Sequence, residues 1–268
     1  MRLSRRIALD GVQLDGLDGR ILISEVYEMP ADRTATAASI YDGTGDDTGS
    51  RVNNVHRNTK KVRCKFRINY KRTFMEERAE LLDKITGWCL NGGMLTIGAR
   101  PGQRMQVRCQ QEPEVGDLRD WTREYSIVFE ANEKPYWENT AEETAESRTA
   151  ASGSVSLEVK GNLPNVLNMT ISNKSGSKIN KMTISAGEYK FEFTDLELAA
   201  NEQLVIDHTG KQVLRIRIRN AAGSYRSAMV KRTENSDDEL RVKPGQVTVS
   251  YTADRAVILQ ARCRGRYA

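Results

Sequence analysis

Between Val62 and Gly93 the chain changes its hydrophobic period once, and that switch limits what it can fold into. Val62, Cys64, Phe66, Ile68 and Tyr70 alternate with Arg63, Lys65, Arg67 and Asn69, the pattern of a strand with one buried face and one basic face. From Thr73 the period becomes helical. Thr73 and Glu76 have capping-box spacing, and Phe74, Leu81, Leu82, Ile85, Trp88 and Cys89 share one helical face that ends at Asn91-Gly92-Gly93. The adjacent strand is the expected cover for that face, with Phe66, Ile68, Leu81, Leu82, Ile85 and Trp88 as the helix–strand core. Arg63, Lys65 and Arg67 then point the opposite way, toward a neighbouring subunit or a lumen.

A chain of 268 residues exceeds the usual single-domain size, so two domains are expected. Ile21–Val26, Val62–Tyr70, Met94–Ile97, Met105–Cys109 and Trp121–Phe129 read as strands, with one principal helix, Phe74–Leu90. Residues 30–54 read as a long polar loop carrying Asp42-Gly43-Thr44-Gly45-Asp46-Asp47. After Pro135-Tyr136-Trp137, the small-residue, acidic stretch from Glu138 to Ser154 offers little to bury and reads as a boundary. The division is therefore 1–139, a linker at 140–153 open to protease, and 154–268. Beyond the linker, short strands separated by Gly, Asn and Asp are expected at Val155–Val159, Val166–Ile171, Met182–Ile184, Tyr189–Phe193, Leu204–Ile206, Val213–Ile218, Val247–Tyr251 and Val257–Ala261, the spacing of a β-sandwich. The fold class is mainly β with one principal helix, α+β in the first domain.

Charged residues make up 29% of the chain and aromatics 6%, and no apolar run is long enough for a membrane span. A soluble protein without membrane contact is expected. The basic start, Met1 to Arg6, leads into an apolar stretch too short for a signal peptide, so no export is expected. Cys64, Cys89, Cys109 and Cys263 lie far apart, three of them at apolar positions, which suits a reducing compartment.

Proton exchange and nucleophilic attack find few candidates. His56 and His208 are the two histidines, one in a basic loop and one in an Asp-His-Thr-Gly turn, and both read as surface residues. No metal-ligand spacing occurs, the aspartates at 42–47 lack the order of a calcium loop, and the nearby glycines lack a leading strand and a following helix. No catalytic residue, cofactor site or metal site is expected. From Arg51 to Arg72 nine residues are Lys or Arg and none is acidic. That stretch could face nucleic acid, but it lacks interleaved exposed aromatics, and an assembly or lumen surface is the preferred reading over sequence-specific DNA binding. Arg215, Arg217 and Arg219 form a second basic ladder, read as a solvated face that discourages edge aggregation.

In this order, the features resemble the distal tail protein family of long-tailed phages, the baseplate-hub or tail-tip adaptor often called Dit. The first domain contributes Asp42-Gly43, the Val62–Ile68 strand, the Glu77–Leu90 helix with its Trp88-Cys89-Leu90 end, Leu95-Thr96-Ile97, and the Tyr125–Phe129 strand leading to Pro135-Tyr136. The second contributes Leu204-Val205-Ile206-Asp207, Ser236-Asp237-Asp238-Glu239-Leu240, Pro244-Gly245, and the strands at Val247–Tyr251 and Val257–Cys263. The chain departs from the family pattern in its extra-long polar stretch at 30–54 and in Lys174-Ser175-Gly176.

The resemblance implies an N-terminal tail-tube-like split β-barrel plus helix, assembled as a hexameric ring, and a galectin-like β-sandwich outside it. It implies no catalysis. The partners it implies are the major tail tube protein, the tape measure protein, and the tail hub with its tail-associated lysin or receptor-binding protein, with genomic DNA only passing through the lumen. The location it implies is the distal end of a virion tail assembled in the host cytoplasm. The alternative is a carbohydrate-binding module of a tail or cell-surface adhesion protein. The second half has no Trp for a sugar platform, which leaves Tyr189, Tyr225, Tyr251 and Tyr267.

Overall fold

The computed structural model describes residues 5–29, 33–41, 47–57, 60–69, 74–114, 116, 123–132, 135–209 and 213–268, the segments 33–41 and 47–57 by backbone alone. It divides into two compact units, Met1–Tyr136 and Trp137–Ala268.

The first unit contains β1 (Ile7–Leu9), β2 (Val12–Gln13), a one-turn α1 (Leu14–Leu17), β3 (Ile21–Met29), β4 (Arg33–Tyr41), β5 (Asp47–Arg57), β6 (Lys61–Ile68), α2 (Met75–Cys89), β7 (Gly93–Ile97), β8 (Gln103–Gln111) and β9 (Tyr125–Ala131). Seven of these strands form an antiparallel sheet in the order β2-β1-β7-β8-β9-β6-β3. Cross-strand pairs place Val62 opposite Phe129, Cys64 opposite Ile127 and Phe66 opposite Tyr125, and all six side chains are buried. Alternation along each strand turns these residues to one face. On that face the rings of Phe66 and Tyr125 stack at 5.5 Å.

Helix α2 covers this apolar layer. Leu81, Leu82, Ile85 and Cys89 are buried, and Trp88 meets Phe129 edge-on at 5.9 Å. The observed contact runs to β9, one strand beyond the expected cover. Phe74 does not join the buried face: it precedes the helix and is 80% exposed, while Arg78 is buried in the stripe instead. The cap also sits one residue later than its spacing suggested, because the Glu77 carboxylate accepts the Phe74 N–H at 2.8 Å. Thr73 and Tyr70 lie outside the described residues. The helix ends at Cys89, and the chain turns away through Gly92, whose φ of +64° suits glycine and whose N–H donates to the Cys89 carbonyl.

The long polar loop expected at 30–54 is corrected. Much of it is the antiparallel hairpin β4–β5, in which two strands satisfy each other's backbone groups without needing an apolar face. Among the described residues, this hairpin belongs to neither large sheet. Asp42, Gly43 and Asp46 lie outside the described residues.

Among the described residues, the second unit is all β apart from one 3-10 turn at Met229–Lys231. Its strands are β10 (Trp137–Asn139), β11 (Glu143–Glu146), β12 (Ala150–Val159), β13 (Asn165–Val166), β14 (Asn168–Asn173), β15 (Met182–Ala186), β16 (Tyr189–Phe193), β17 (Gln203–His208), β18 (Leu214–Arg219), β19 (Tyr225–Ser227), β20 (Arg241–Val242), β21 (Gly245–Cys263) and β22 (Arg266–Tyr267). The two strands expected at 247–251 and 257–261 are one continuous 19-residue strand, β21. Its first half pairs with β12 and β15, and its second half pairs with β11 and β14. Asp254 lies near the changeover, and its carboxylate accepts the N–H groups of Asn180 and Lys181. Both halves of β21 feed a single buried cluster with Leu157, Met169, Ile171, Phe191, Phe193 and Ile216. Through β21 these strands join into one nine-stranded sheet, in the order β16-β15-β21-β14-β17-β18-β19 with β11 and β12 also on β21, curled over one core.

The expected linker at 140–153 is also corrected. β11 and the start of β12 are hydrogen-bonded to β21, so this stretch belongs to the second unit, and the division falls between Tyr136 and Trp137. A polar strand needs only a neighbour for its backbone, and β21 supplies one.

Candidate assembly surface

On the sheet face opposite α2, the structure brings Lys65 and Arg67 together with carboxylates that sequence spacing did not reveal, while Arg63 stands opposite Tyr27. Lys65 Nζ lies 3.4 Å from Glu25 and 4.0 Å from Glu124, and Arg67 Nε lies 3.6 Å from Glu124. Lys65 also stands over the Tyr27 ring at 5.9 Å. On the neighbouring strands Arg108 donates through Nε and Nη2 to the buried Glu130, and Arg100 and Glu28 pair through two hydrogen bonds. Two of the three rungs of the basic ladder, Lys65 and Arg67, are therefore paired within the chain.

Glu25 escapes a count from the sequence for a specific reason. Ile21 pairs with Ile68 and Ile23 with Phe66, so simple alternation sends Glu25 to the buried face. A bulge between Ile23 and Glu25 reverses the parity, which puts Glu25 opposite Lys65 and Tyr27 opposite Arg63. An acidic residue at a parity meant for the core is the signal that could have revealed the bulge.

Of the residues expected in the helix–strand core, Phe66, Ile68, Leu81, Leu82 and Ile85 are buried. Trp88 is half-buried, and its Nε1–H donates to the Val12 carbonyl at 3.1 Å. The rim of this sheet carries apolar side chains in the open. Val12 on edge strand β2 is 49% exposed, and Leu22 on edge strand β3 is 51% exposed.

In the second unit Asp207 receives Arg215 Nε at 2.9 Å and Arg217 Nη2 at 2.6 Å, and Arg217 lies over the Tyr225 ring at 4.2 Å. The second basic ladder is therefore braced by a carboxylate and an aromatic ring. His208, expected in a surface turn, ends β17 half-buried, with Nδ1 3.3 Å from Asn168 Oδ1. Burial, then the positive Arg266 nearby, pushes its pKa down to about 4. His56 lies in β5, whose side chains are outside the description. Tyr251 is buried and donates to Ser147 Oγ and the Arg148 carbonyl, so it offers no open platform, whereas Tyr225 is exposed with Arg217 over its ring. Tyr189 borders a shallow cleft of about 270 Å³ with Arg241 and Gln246. Tyr267 pairs with Trp137 between β22 and β10.

Among the described residues, no group of three or more His, Cys, Asp or Glu side chains is arranged to hold a metal ion, and no helix is long and apolar enough to cross a membrane.

A helix-covered antiparallel sheet followed by an all-β unit is a fold also seen in a solved phage protein. The crystal structure of the Dit protein of phage SPP1, described as a paradigm of the hub adsorption apparatus in phages that infect Gram-positive bacteria, aligns with 98% of this chain and 99% of its own at a TM-score of 0.68. Sequence identity is 13%, so the shared property is the fold. Two baseplate structures of phage P2, with calcium and with strontium, align over 97% and 96% of this chain, and each alignment covers 97% of the P2 chain. Their identities are 9% and 10% and their TM-scores 0.46 and 0.43, too low to support a statement about common architecture. No family model matches the sequence, and no curated protein does.

Proposed function

We propose that this chain is a structural subunit of a phage or prophage tail tip, a distal tail protein that assembles into a ring of six. In this reading the first unit builds the ring that continues the tail tube. The second unit, a galectin-like sandwich, faces outward toward the hub and its receptor-binding or lytic components. The other partners are the major tail tube protein and the tape measure protein, and DNA meets the ring only in passage. The chain works by position and performs no catalysis.

The observation that carries the proposal is the open sheet of the first unit. It ends in two different edges, each with an exposed apolar side chain and no strand beside it among the described residues: β3, nine residues of backbone, and the two-residue β2, whose Val12 carbonyl is taken by Trp88. Such edges are templates for another chain. Joining one subunit's β3 edge to the next subunit's β2 edge is a head-to-tail contact, which closes as a ring when the rotation fits. The shared fold with SPP1 Dit supports the same reading. In-chain pairing of Lys65 and Arg67 with Glu25 and Glu124 favours the edges over the charged face as the main source of subunit contact.

Light scattering after gel filtration, with and without tail tube protein, is the test. The expected result is a ring of six copies for the wild type and its loss in Leu22→Glu, whose isolated fold remains intact by circular dichroism. A strict monomer under every condition, with no rings in negative-stain images, would sink the proposal.

A second reading, a carbohydrate-binding module, draws on the cleft beside Tyr189. Saturable binding on a glycan array, lost in Tyr189→Ala, would favour it.

A further inference from the structure

The two cysteines nearest the helix–sheet junction face each other. Cys89 is the last residue of α2 and is buried, and Cys109 lies on β8. The chain just after Cys89 lies against the strand that carries Cys109: Gly93 pairs with Val107, and a Cβ on Gly92 would meet the Val107 carbonyl and the Arg108 Cα, while the Cys89 thiol donates to the Thr86 carbonyl at 3.4 Å. The surrounding geometry agrees independently. Cys109 is paired across the ladder with Phe129, and Phe129 carries the edge contact to Trp88, the residue before Cys89. Both sulfurs thus occupy the layer between helix and sheet. A register shift between Cys109 and Gln111 sits beside the pair, where it can adjust the aim of a side chain. Cys109 is half-exposed, which gives a solvent-borne reagent access to one sulfur of the two.

We propose that Cys89 and Cys109 are an oxidisable pair that closes into a disulfide when the protein meets a low-molecular-weight disulfide oxidant. Cys109 Sγ gives its proton to solvent and attacks one sulfur of the oxidant, forming a mixed disulfide and releasing one thiolate. Cys89 Sγ then gives up its proton and attacks Cys109 Sγ, releasing the second thiolate. One S–S bond is broken and one is made, two electrons pass to the oxidant, and the two protons end on the released thiols.

The other cysteines are poor competitors. Cys64 and Cys263 are buried, and burial pushes their thiols up to about 12 and about 11. The neighbouring Cys89 shifts the Cys109 thiol the other way, so Cys109 supplies thiolate first. The new bond would tie the end of α2 to β8 and close a loop containing β7, which restricts the unfolded chain more than the folded one.

The test treats the full-length protein with oxidised glutathione, alkylates it under denaturing conditions, and maps tryptic peptides, since cleavage at Arg104 and Arg108 separates the two cysteines. The expected result is a single cross-link between the Cys89 and Cys109 peptides, free Cys64 and Cys263, and a higher urea midpoint that is reversed by a reducing agent. Cys109→Ser, folded by circular dichroism, shows neither the link nor the shift. Four free thiols after oxidation, a link involving Cys64 or Cys263, or a stable glutathione adduct on Cys109 beside a free Cys89 would each overturn the proposal.

Discussion

Trp88 and His208 show how far a side chain's surroundings decide its role. Truncating a fully buried aromatic typically costs about 3–5 kcal/mol. Trp88 is only half-buried, and what it loses on replacement by Ala is the edge contact to Phe129 and the bond to the Val12 carbonyl. The expected destabilisation is about 2 kcal/mol, against about 3–4 kcal/mol for Phe129→Ala at a fully buried position. Urea melts of the two variants should preserve that order. At His208 the folded pKa lies below the value of an exposed histidine, so between those values the unfolded chain binds more protons. Stability from this group is therefore complete above about pH 6.5 and falls as the pH drops toward 4, below which the difference is constant. The full shift corresponds to about 3 kcal/mol, and with the ring partly open to solvent the expected loss is about half of that. Urea titrations between pH 4 and 7 should show this slope in the wild type and a flatter one in His208→Asn, which retains a polar group toward Asn168.

Among the elements, β3, β6 and the approach to β9 behave as a charge-matched set. Lys65 sits between Glu25 and Glu124, and Arg67 also reaches Glu124. Reversing the ladder to glutamate would set like charges against those carboxylates, so the fold itself is expected to weaken. For Lys65→Glu alone the expected loss is about 1 kcal/mol, larger at low salt, and adding Glu124→Lys should restore about half of it. Equal stability of wild type and Lys65→Glu at low ionic strength would show that these pairs contribute nothing measurable. Strand β21 makes a related point about length. Ala253-Asp254-Arg255 reads as a break, yet the strand continues because different neighbours take its two halves and Asp254 binds the backbone at Asn180 and Lys181.

For the whole molecule, each unit holds its own core, and cutting between Tyr136 and Trp137 should leave two folding fragments. Fragments 1–136 and 137–268, expressed separately, are each expected to unfold cooperatively by circular dichroism. Early cleavage within 140–153 is not expected, since β11 and β12 are held by β21. Rapid proteolysis there in the intact chain would contradict the pairing.

The sequence by itself determined the elements whose hydrophobic period is unambiguous: β6, α2 and the alternating strands of the second unit, β16 among them at its full extent. Through the order of its features it also determined the resemblance to distal tail proteins. Period reports which side of an element is buried because burial is set residue by residue along the chain. Only the tertiary structure decided what depends on neighbours distant in sequence. A bulge reversed the parity of β3 and handed Glu25 to Lys65, polar segments became β4, β5 and β11 because another backbone lay beside them, and Cys109 met Cys89 because α2 folds back over β8 and β9. Backbone pairing carries no side-chain period, and the carboxylates that pair with Lys65 and Arg67 lie tens of residues from them, so neither could be read until the strands had been placed side by side.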